Sequence, residues 1–371
     1  LYRSNAQSRV LEETFLRESM PYRIYGGQRF YERLEIKNAL AYARLILNNH
    51  DDAAFERVVN TPTRGIGEKT LDAVRLTARD QGCSLFDAAI LLLTNGVLPA
   101  RAANALKGFL QLLDDLREGA RGQSLSEQME YLIQASGLYD FHKKEKGEKG
   151  QARIENLEEL VNACKGFQPE DPERNPLAEF LDSAALDAGD QQADAYQDAI
   201  QMMTMHSAKG LEFPLVFIAG AEENLFPHKM SADSVEGLEE ERRLCYVGIT
   251  RAMEKLVITH AESRRLHGKD NFNSLSRFVR EIPDQYIQEV RVKSSITRPA
   301  NVNNSAASAR TQWSDDSDCG LDLGQRVYHA KFGEGVILQF EGRGAGARVN
   351  VAFDDAGSKW LMVQYAKLQA L

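Results

Sequence analysis

Hydrophobic residues recur with a helical period through much of the first half of the chain. Between Glu32 and about Phe167 apolar side chains return every three to four positions, as in Ile36, Leu40, Ala43 and Leu47. This spacing places the apolar side chains on one face of a helix. The pattern therefore predicts an almost wholly helical region, preceded by a shorter amphipathic helix over 10–19.

Short apolar runs lie on both sides of this helical region and predict strands. The predicted elements are strands over Tyr22–Tyr25, Ile200–Met205, Leu215–Ala219 and Leu256–His260, and a helix over Leu238–Met253. Apolar strands separated by helices are typical of a parallel α/β sheet. The strands at each end are too few to bury a sheet alone. We therefore expect one α/β domain, residues 1–27 plus 196–290, that is split by a helical insertion over 28–195.

The last part of the chain has a different pattern. Residues 291–320 are polar and lack periodicity, which predicts a flexible linker. Beyond it, apolar residues alternate with others, as in Val349, Val351 and Phe353, with glycine-rich turns between the runs. Residues 321–371 are therefore expected to form a small SH3- or Tudor-like barrel.

Composition narrows the class of protein. The sequence has no apolar run near the roughly 18 residues that a membrane span needs, and no secretory signal is visible. Its four cysteines are scattered and form no CxxC pair, so we expect reduced thiols in a cytoplasmic protein.

The net charge is −9, but the segment 168–200 alone holds nine acids against one base. The charge therefore does not exclude nucleic-acid binding elsewhere. Because the chain opens on Leu1-Tyr2 without a methionine, we expect it to be the C-terminal part of a longer protein.

One polar loop combines several groups suited to a nucleotide. Lys209 and Gly210 follow the strand predicted over 200–205, and loops at the carboxyl ends of parallel strands bind ligands in α/β folds. Gly210 allows close backbone approach, Glu212 can accept hydrogen bonds from ribose, and His206 can stack on nucleic acid. Taken singly, such a histidine is more often a core residue and such a lysine is usually solvated. The combination of these residues in one loop is what predicts a site for a nucleotide or nucleic acid.

A second string, 239–252, combines acidic, basic and apolar residues and predicts a helix. Leu244, Gly248 and Arg251 would share one face, because seven residues advance about 700°. Gly248 would then leave space beside Arg251, whose guanidinium can hold a phosphate through two hydrogen bonds. The alternative is a solvated helix with intrahelical ion pairs, which we favour for the two consecutive arginines early in the string.

Three strings together identify a family. They are Leu1–Arg9 (LYRSNAQSR), His206–Phe213 (HSAKGLEF) and Glu240–Ala252 (EERRLCYVGITRA). In this order and spacing the chain resembles the UvrD/PcrA/Rep group of superfamily 1 DNA helicases, most closely the UvrD members, over essentially its whole length. The resemblance implies a RecA-like parallel-sheet domain split by an all-helical insertion, then a linker and a Tudor-like barrel. It also implies ATP-dependent 3′–5′ unwinding of DNA in repair and replication.

The resemblance implies roles for individual residues at the nucleotide. Arg251 corresponds to an arginine finger that contacts the γ-phosphate in the cleft between two RecA-like domains. Gly210 and Glu212 correspond to residues near the ribose.

Four further residues correspond to contacts with single-stranded DNA: Arg3, Asn5, His206 and His267. At His267 the family carries Phe or Tyr, so we expect a weaker stacking surface, because imidazole offers less area to a base.

A third segment, 60–70, is predicted to bind duplex DNA. Helices are expected on both sides of Gly65 and Gly67, which gives helix–hairpin–helix geometry. Backbone N–H groups at such glycines can point at a phosphate, and Lys69 and Thr70 can add contacts. A bare GxG turn is usually structural, but the flanking helices and the resemblance favour the DNA-binding interpretation. The segment is not a P-loop, because GxxxxGK[ST] spacing is absent.

The sequence contains neither a GxxxxGK[ST] string nor an Asp-Glu pair after an apolar strand. The family carries both in an upstream RecA-like domain, which would supply the Mg²⁺ ligands. We therefore expect ATP and Mg²⁺ as cofactors of a longer enzyme, and no activity from this part alone.

The expected partners are single-stranded and duplex DNA, with RNA polymerase or repair proteins at the barrel. We also expect self-association and no binding to a membrane. The alternative is a non-catalytic DNA- or polymerase-binding protein that kept the fold.

Overall fold

The computed structural model describes residues 1–145, 147–189, 197–261, 263–266, 269–290, 325–341, 348–353, 357–362 and 366–370. The chain divides into two compact units, Leu1–Tyr286 and Ile287–Leu371. The linker expected over 291–320 lies outside the described residues. Among the described helices, none is both long and apolar enough to cross a membrane.

Parallel pairing dominates the strands of the first unit, in agreement with the predicted α/β class. The strands are β1 (Tyr22–Ile24), β2 (Ile200–Met202), β3 (Phe213–Ala219), β4 (Ala252–Thr259), β5 (Arg264–Leu266) and β6 (Lys269–Asn271). β1 pairs with β2 and β3 pairs with β4, both in parallel, whereas β5 and β6 form an antiparallel hairpin.

The first two residues of the chain lie between the two parallel pairs. Tyr2 forms a parallel bridge with Thr204, just beyond β2. The carbonyl oxygen of Leu1 accepts a hydrogen bond from the backbone N–H of Ala219, in β3, at 2.9 Å. Segments more than 200 residues apart in sequence therefore meet at the start of the chain.

The helices of the first unit follow the predicted order. They are α1 (Ser8–Arg17), α2 (Leu34–Leu47), α3 (Asp52–Val58), α4 (Glu68–Gln81), α5 (Leu85–Thr94), α6 (Ala100–Ala120), α7 (Leu125–Ala135), α8 (Leu138–Lys143), α9 (Glu148–Gly166), α10 (Pro176–Gly189), α11 (Lys229–Ala232), α12 (Val235–Ile249) and α13 (Arg277–Arg280). The helices α2 to α9 confirm the helical region. The helix α10 lies inside the predicted helical insertion but beyond the helical period, which ends near Phe167, so this individual helix was not predicted.

The helix α2 is the centre of the helical part. Ten of its fourteen residues are buried, among them Ile36, Tyr42 and Leu45. A helix that is apolar around most of its circumference must be covered on most sides. It is covered here by α3, α6, α7, α9 and α10. Phe55 and Phe109 extend this core and meet edge to face, with ring centroids 5.4 Å apart.

A separate, smaller core joins the sheet to α12. Val216 and Ile218 of β3 are buried in one cluster with Leu244 and Cys245 of α12. Alternate residues of a strand face opposite sides, so this inward pair defines the face of β3 that α12 covers.

The second unit holds five strands in the order β10-β9-β8-β7-β11. They are β7 (Arg326–His329), β8 (Gly333–Glu341), β9 (Arg348–Phe353), β10 (Gly357–Met362) and β11 (Gln369–Ala370), and their pairing is antiparallel. The buried side chains include Val327, Ile337, Val349, Val351 and Phe353. The strand pairs of the described residues form an open series, so they do not show a closed barrel.

Candidate nucleic-acid and nucleotide sites

Arg251 lies at the end of α12, and its surroundings correct the sequence prediction. The helix expected to reach Met253 stops at Ile249, and β4 begins at Ala252. The hydroxyl of Thr250 donates to the carbonyl oxygen of Tyr246 at 2.9 Å, inside the last turn. Backbone pairing with β3 then takes over, because the carbonyl oxygen of Arg251 accepts from the N–H of Phe213 at 2.9 Å.

The expected role of Gly248 is also corrected. A β-carbon at Gly248 would lie 3.1 Å from Met205 Sδ and 3.2 Å from Ile218 Cδ1. The absent side chain therefore allows α12 to approach the sheet closely, and the atoms nearest to that position belong to Met205 and Ile218. The prediction that Arg251 shares a helix face with Leu244 and Gly248 is wrong, since Arg251 follows the end of α12.

The guanidinium of Arg251 is held against the loop that carries Gly210 and Glu212. Its Nη1 donates to the carbonyl oxygen of Leu211 at 2.7 Å, and its Nε donates to the carbonyl oxygen of Val247 at 3.0 Å. Gly210 has φ +86°, in the region that favours glycine, and a β-carbon there would meet nothing within 4 Å. Glu212 is exposed. The structure therefore places all three predicted nucleotide-site residues together.

This group of residues is chemically suited to a nucleotide. A guanidinium donates in a planar fork that matches phosphate oxygens. The open side of Gly210 admits close approach, and the exposed carboxylate of Glu212 can accept from ribose hydroxyls. The part of the chain that the structure describes contains no group of three or more metal-ligating side chains suited to an ion.

The segment Arg3-Ser4-Asn5 is held by two carboxylates from distant helices. Arg3 Nε donates to Glu241 Oε1 at 2.9 Å and its Nη2 donates to the same oxygen at 2.6 Å. The hydroxyl of Ser4 donates to Glu155 Oε2 at 2.6 Å. The carbonyl oxygen of Asn5 lies 3.0 Å from Nη1 of Arg33. The predicted DNA contacts Arg3 and Asn5 therefore share one rigid segment.

The predicted contact His206 adjoins this segment, because the backbone N–H of Met205 donates to the carbonyl oxygen of Tyr2 at 2.9 Å, and these two residues directly precede His206 and Arg3. His206 is exposed and follows the buried Met205, in the loop after β2. His267 lies outside the described residues, between β5 and β6. The hairpin arms are anchored by Arg264, whose Nη2 donates to the fully buried Glu222 at 2.6 Å.

The segment 60–70 forms the predicted turn before a helix. Gly65 has φ +81°, and Gly67 is the N-cap of α4 with an ordinary φ of −88°. Both glycines and Lys69 are exposed, whereas Thr70 is buried. The side chain of Thr70 is thus the member of the predicted set that faces the protein interior.

Sequence reasoning missed Arg64, which holds this turn in place. Its Nη2 donates to the hydroxyl of Tyr42 at 2.6 Å and to the carbonyl oxygen of Ser136 at 2.9 Å. Its backbone N–H and that of Ile66 both donate to the side-chain oxygen of Asn60. Burial raises the pKa of Tyr42 to about 12, despite the opposing charge of Arg64, so its hydroxyl stays protonated. No local pattern marks the contacts of the guanidinium with Tyr42 and Ser136, because these residues are 22 and 72 positions away in sequence.

Comparison with known proteins defines the class. Residues 1–92 and 101–263 match the UvrD-like helicase C-terminal domain, and residues 323–369 match the PcrA/UvrD tudor domain. The chain belongs to the family of UvrD-like helicases.

Individual relatives cover the whole chain. It is 54% identical to DNA helicase II of Escherichia coli (strain K12) over 373 residues, which is 100% of this chain and 51% of that protein. It is 48% identical to DNA helicase II of Haemophilus influenzae, again over 100% of this chain and 51% of the relative. It is 37% identical to the ATP-dependent DNA helicase PcrA of Bacillus subtilis, over 100% of this chain and 52% of that protein. The chain spans about half the length of the curated relatives it matches.

Proposed function

We propose that the chain is the C-terminal part of an ATP-dependent 3′–5′ DNA helicase that acts in repair and replication. In this proposal residues 1–27 and 196–290 form a second RecA-like motor domain. Residues 28–195 form its inserted helical domain, and 321–371 form a Tudor-like module beyond a linker over 291–320. The parallel pairs β1–β2 and β3–β4, joined through Tyr2 and Leu1, support the motor-domain assignment.

The observation that carries the proposal is the position of Arg251. Its guanidinium is held at the loop of Gly210 and Glu212 by the 2.7 Å hydrogen bond to Leu211. A guanidinium at such a place can stabilise the charge that spreads over the γ-phosphoryl oxygens during hydrolysis. Arg251 would contact this phosphate, and Gly210 and Glu212 would hold the ribose end.

DNA would contact two separate parts of the first unit. Arg3, Asn5, His206 and His267 would hold the single strand. The exposed turn around Gly65 and Gly67, with Lys69, would bind duplex phosphate through backbone N–H groups at the start of α4. Thr70 would contribute chiefly through its backbone, because its side chain is buried.

ATP hydrolysis needs Mg²⁺, which supplies charge neutralisation at the phosphates. Its ligands would come from the part of the longer protein that this chain does not span. The Tudor-like module would contact RNA polymerase or repair proteins. We place the enzyme in the cytoplasm, with self-association as a further property.

Two tailed duplexes test the proposal with the whole protein that contains this chain. ATP-dependent strand separation on a 3′-tailed duplex, with little on a 5′-tailed one, is the expected result. The 371-residue chain alone should show no DNA-stimulated ATP hydrolysis. A whole protein that binds DNA but neither hydrolyses ATP nor separates strands would support the non-catalytic binding protein instead.

A further inference from the structure

Glu241 is an almost fully buried carboxylate beside a predicted DNA contact. Its side chain is 3% exposed, and it belongs to α12. Burial opposes its ionisation, but Arg3 and the N–H of His228 outweigh burial and hold the pKa of Glu241 below its ordinary value. The carboxylate is therefore charged, and its nearest cation is the guanidinium of Arg3.

The geometry of this pair leaves part of Arg3 available. Glu241 takes the Nε–Nη2 edge, with contacts of 2.9, 3.0 and 2.6 Å. The Nη1 atom has no hydrogen-bond partner among the described residues. A guanidinium offers five N–H donors in a fixed plane, so a carboxylate on one edge fixes the direction of the remaining donors. The side chain of Arg3 is 14% exposed, which keeps the free end within reach of a ligand.

Glu241 is itself held from outside α12. Its Oε2 accepts from the backbone N–H of His228 at 3.1 Å. The Nε2 atom of His228 lies 3.1 Å from Oε1 of Glu155, the carboxylate that also accepts from Ser4. Arg3 and Ser4, which are consecutive, are thus tied to two carboxylates that share His228. This arrangement restricts the segment before any DNA binds.

We propose that Glu241 is a positioning residue that orients Arg3 toward a phosphate of single-stranded DNA. This inference rests on the proposed role of Arg3 as a DNA contact. Two physical effects of Glu241 oppose each other. Its negative charge repels phosphate, whereas its hydrogen bonds hold Arg3 in one direction and reduce the entropy that binding would otherwise cost. For Glu241 to strengthen DNA binding, the gain in binding free energy from orienting Arg3 must exceed the repulsion between Glu241 and phosphate.

The direction in which one substitution changes the affinity for single-stranded DNA separates these two effects. The replacement Glu241→Gln removes the charge and keeps the shape and one acceptor oxygen. Charge alone predicts tighter binding to single-stranded DNA. Loss of orientation predicts weaker binding, by about three- to tenfold. The matched control is Glu240→Gln, which removes the same charge from the neighbouring position, where the side chain is 71% exposed and pairs with Arg243. This control should leave affinity unchanged or slightly raised.

The experiment measures binding of a labelled oligothymidine to the 371-residue chain at several salt concentrations, for Arg3→Ala, Glu241→Gln and the double variant. Arg3→Ala should weaken binding and reduce the slope of log affinity against log salt by about 0.7, the value for one lost phosphate contact on a single strand. The double variant should bind no more weakly than Arg3→Ala.

The outcomes are distinguishable. If Arg3→Ala leaves affinity unchanged, the proposed DNA role of Arg3 fails, and the inference fails with it. If Arg3→Ala weakens binding but Glu241→Gln does not, the DNA role stands and the positioning inference is overturned. If Glu241→Gln weakens binding equally with and without Arg3, its effect is general destabilisation, which also overturns the inference.

Discussion

The Nη1 atom of Arg251 donates a hydrogen bond to the carbonyl oxygen of Leu211 at 2.7 Å, and the backbone of Arg251 accepts one from Phe213 at 2.9 Å. One residue thus holds the end of the 204–212 loop, which lies between β2 and β3, through both its side chain and its main chain. Because Leu211 lies between Gly210 and Glu212, this contact sets the distance between the guanidinium and the predicted ribose site.

The first prediction rests on the proposed function and concerns Arg251→Ala in the whole protein that contains this chain. ATP turnover should fall by about 10³–10⁵, the usual contribution of an arginine finger. That corresponds to about 4–7 kcal/mol at 1.36 kcal/mol per decade, whereas an exposed ion pair contributes at most about 1 kcal/mol. Arg251→Lys should restore little, because an ammonium lacks the planar fork. Steady-state ATP hydrolysis measures the effect.

The control for this prediction is Arg243→Ala, which removes an exposed guanidinium that pairs with Glu240 on the same helix. It should leave turnover nearly unchanged. Binding of single-stranded DNA without nucleotide should survive Arg251→Ala, because Arg3, Asn5 and His206 are untouched. Turnover of a folded Arg251→Ala enzyme within about threefold of wild type would contradict the finger assignment.

Local patterns predicted the elements better than the contacts between them. The apolar runs before and after the 204–212 loop correctly indicated strands, and the helical period over 32–167 corresponds to α2–α9. The helix α10 was missed even though Leu177, Phe180, Leu181 and Ala184 have helical spacing and are buried. Prolines and acidic residues directly before this stretch are typical of a loop and interrupt the helical period of 32–167.

The residues that position the sites could not be predicted in this way. Glu241 and Arg3 are 238 residues apart, and Arg64 reaches Ser136 across 72 residues. Such pairs leave no periodic signal in a single sequence. The end of α12 was also unpredictable from periodicity, since a hydroxyl hydrogen bond at Thr250 and pairing with β3 end the helix.

A second prediction concerns the turn before α4. Gly67 has an ordinary backbone conformation, and a β-carbon there would meet nothing within 4 Å. Gly67→Val should therefore fold, with at most about 1 kcal/mol lost from the N-cap. The added side chain should block phosphate from the backbone N–H groups. Affinity for a duplex junction should fall about two- to tenfold, while single-strand affinity stays constant; titrations with both DNAs measure this.

Two variants control for the Gly67 result. Gly166→Val introduces the same side chain at another exposed glycine with open surroundings and should change neither affinity. Gly65→Val should instead reduce stability by about 1–3 kcal/mol, because its φ of +81° strains any β-branched residue. Equal loss of junction and single-strand binding in Gly67→Val would indicate misfolding or a wrong assignment.

A third prediction tests the packing role of Gly248. Gly248→Val should lower the free energy of unfolding by about 1–3 kcal/mol, because the new side chain overpacks the contact with Met205 and Ile218. Denaturant titration of the 371-residue chain measures this, with Gly166→Val as the control. Unchanged stability together with weaker nucleotide binding by the whole enzyme would instead support a role for Gly248 beside Arg251.

The last prediction concerns acid. Burial opposes ionisation of Glu155, but His228 and Ser4 outweigh it and lower the pKa of its carboxyl below the ordinary 4.5; the pKa of Glu241 is lowered in the same sense by Arg3. A group whose pKa is lower in the folded state stabilises the fold fully above its unfolded pKa. This contribution disappears as the pH falls through the folded value. The contribution of these two carboxylates to the free energy of unfolding should therefore be steady above about pH 4.5 and decrease below it, by up to about 1.4 kcal/mol per pH unit for each proton taken up. Glu155→Gln should be less stable than wild type near neutral pH and should show a shallower decrease in acid, because one titrating group is absent.

Glu240→Gln, which removes an exposed carboxylate, is the control and should follow the wild-type curve. Denaturant titrations from about pH 7 to about pH 3 compare the three proteins, and parallel curves for Glu155→Gln and wild type would show that Glu155 does not stabilise the fold through its charge.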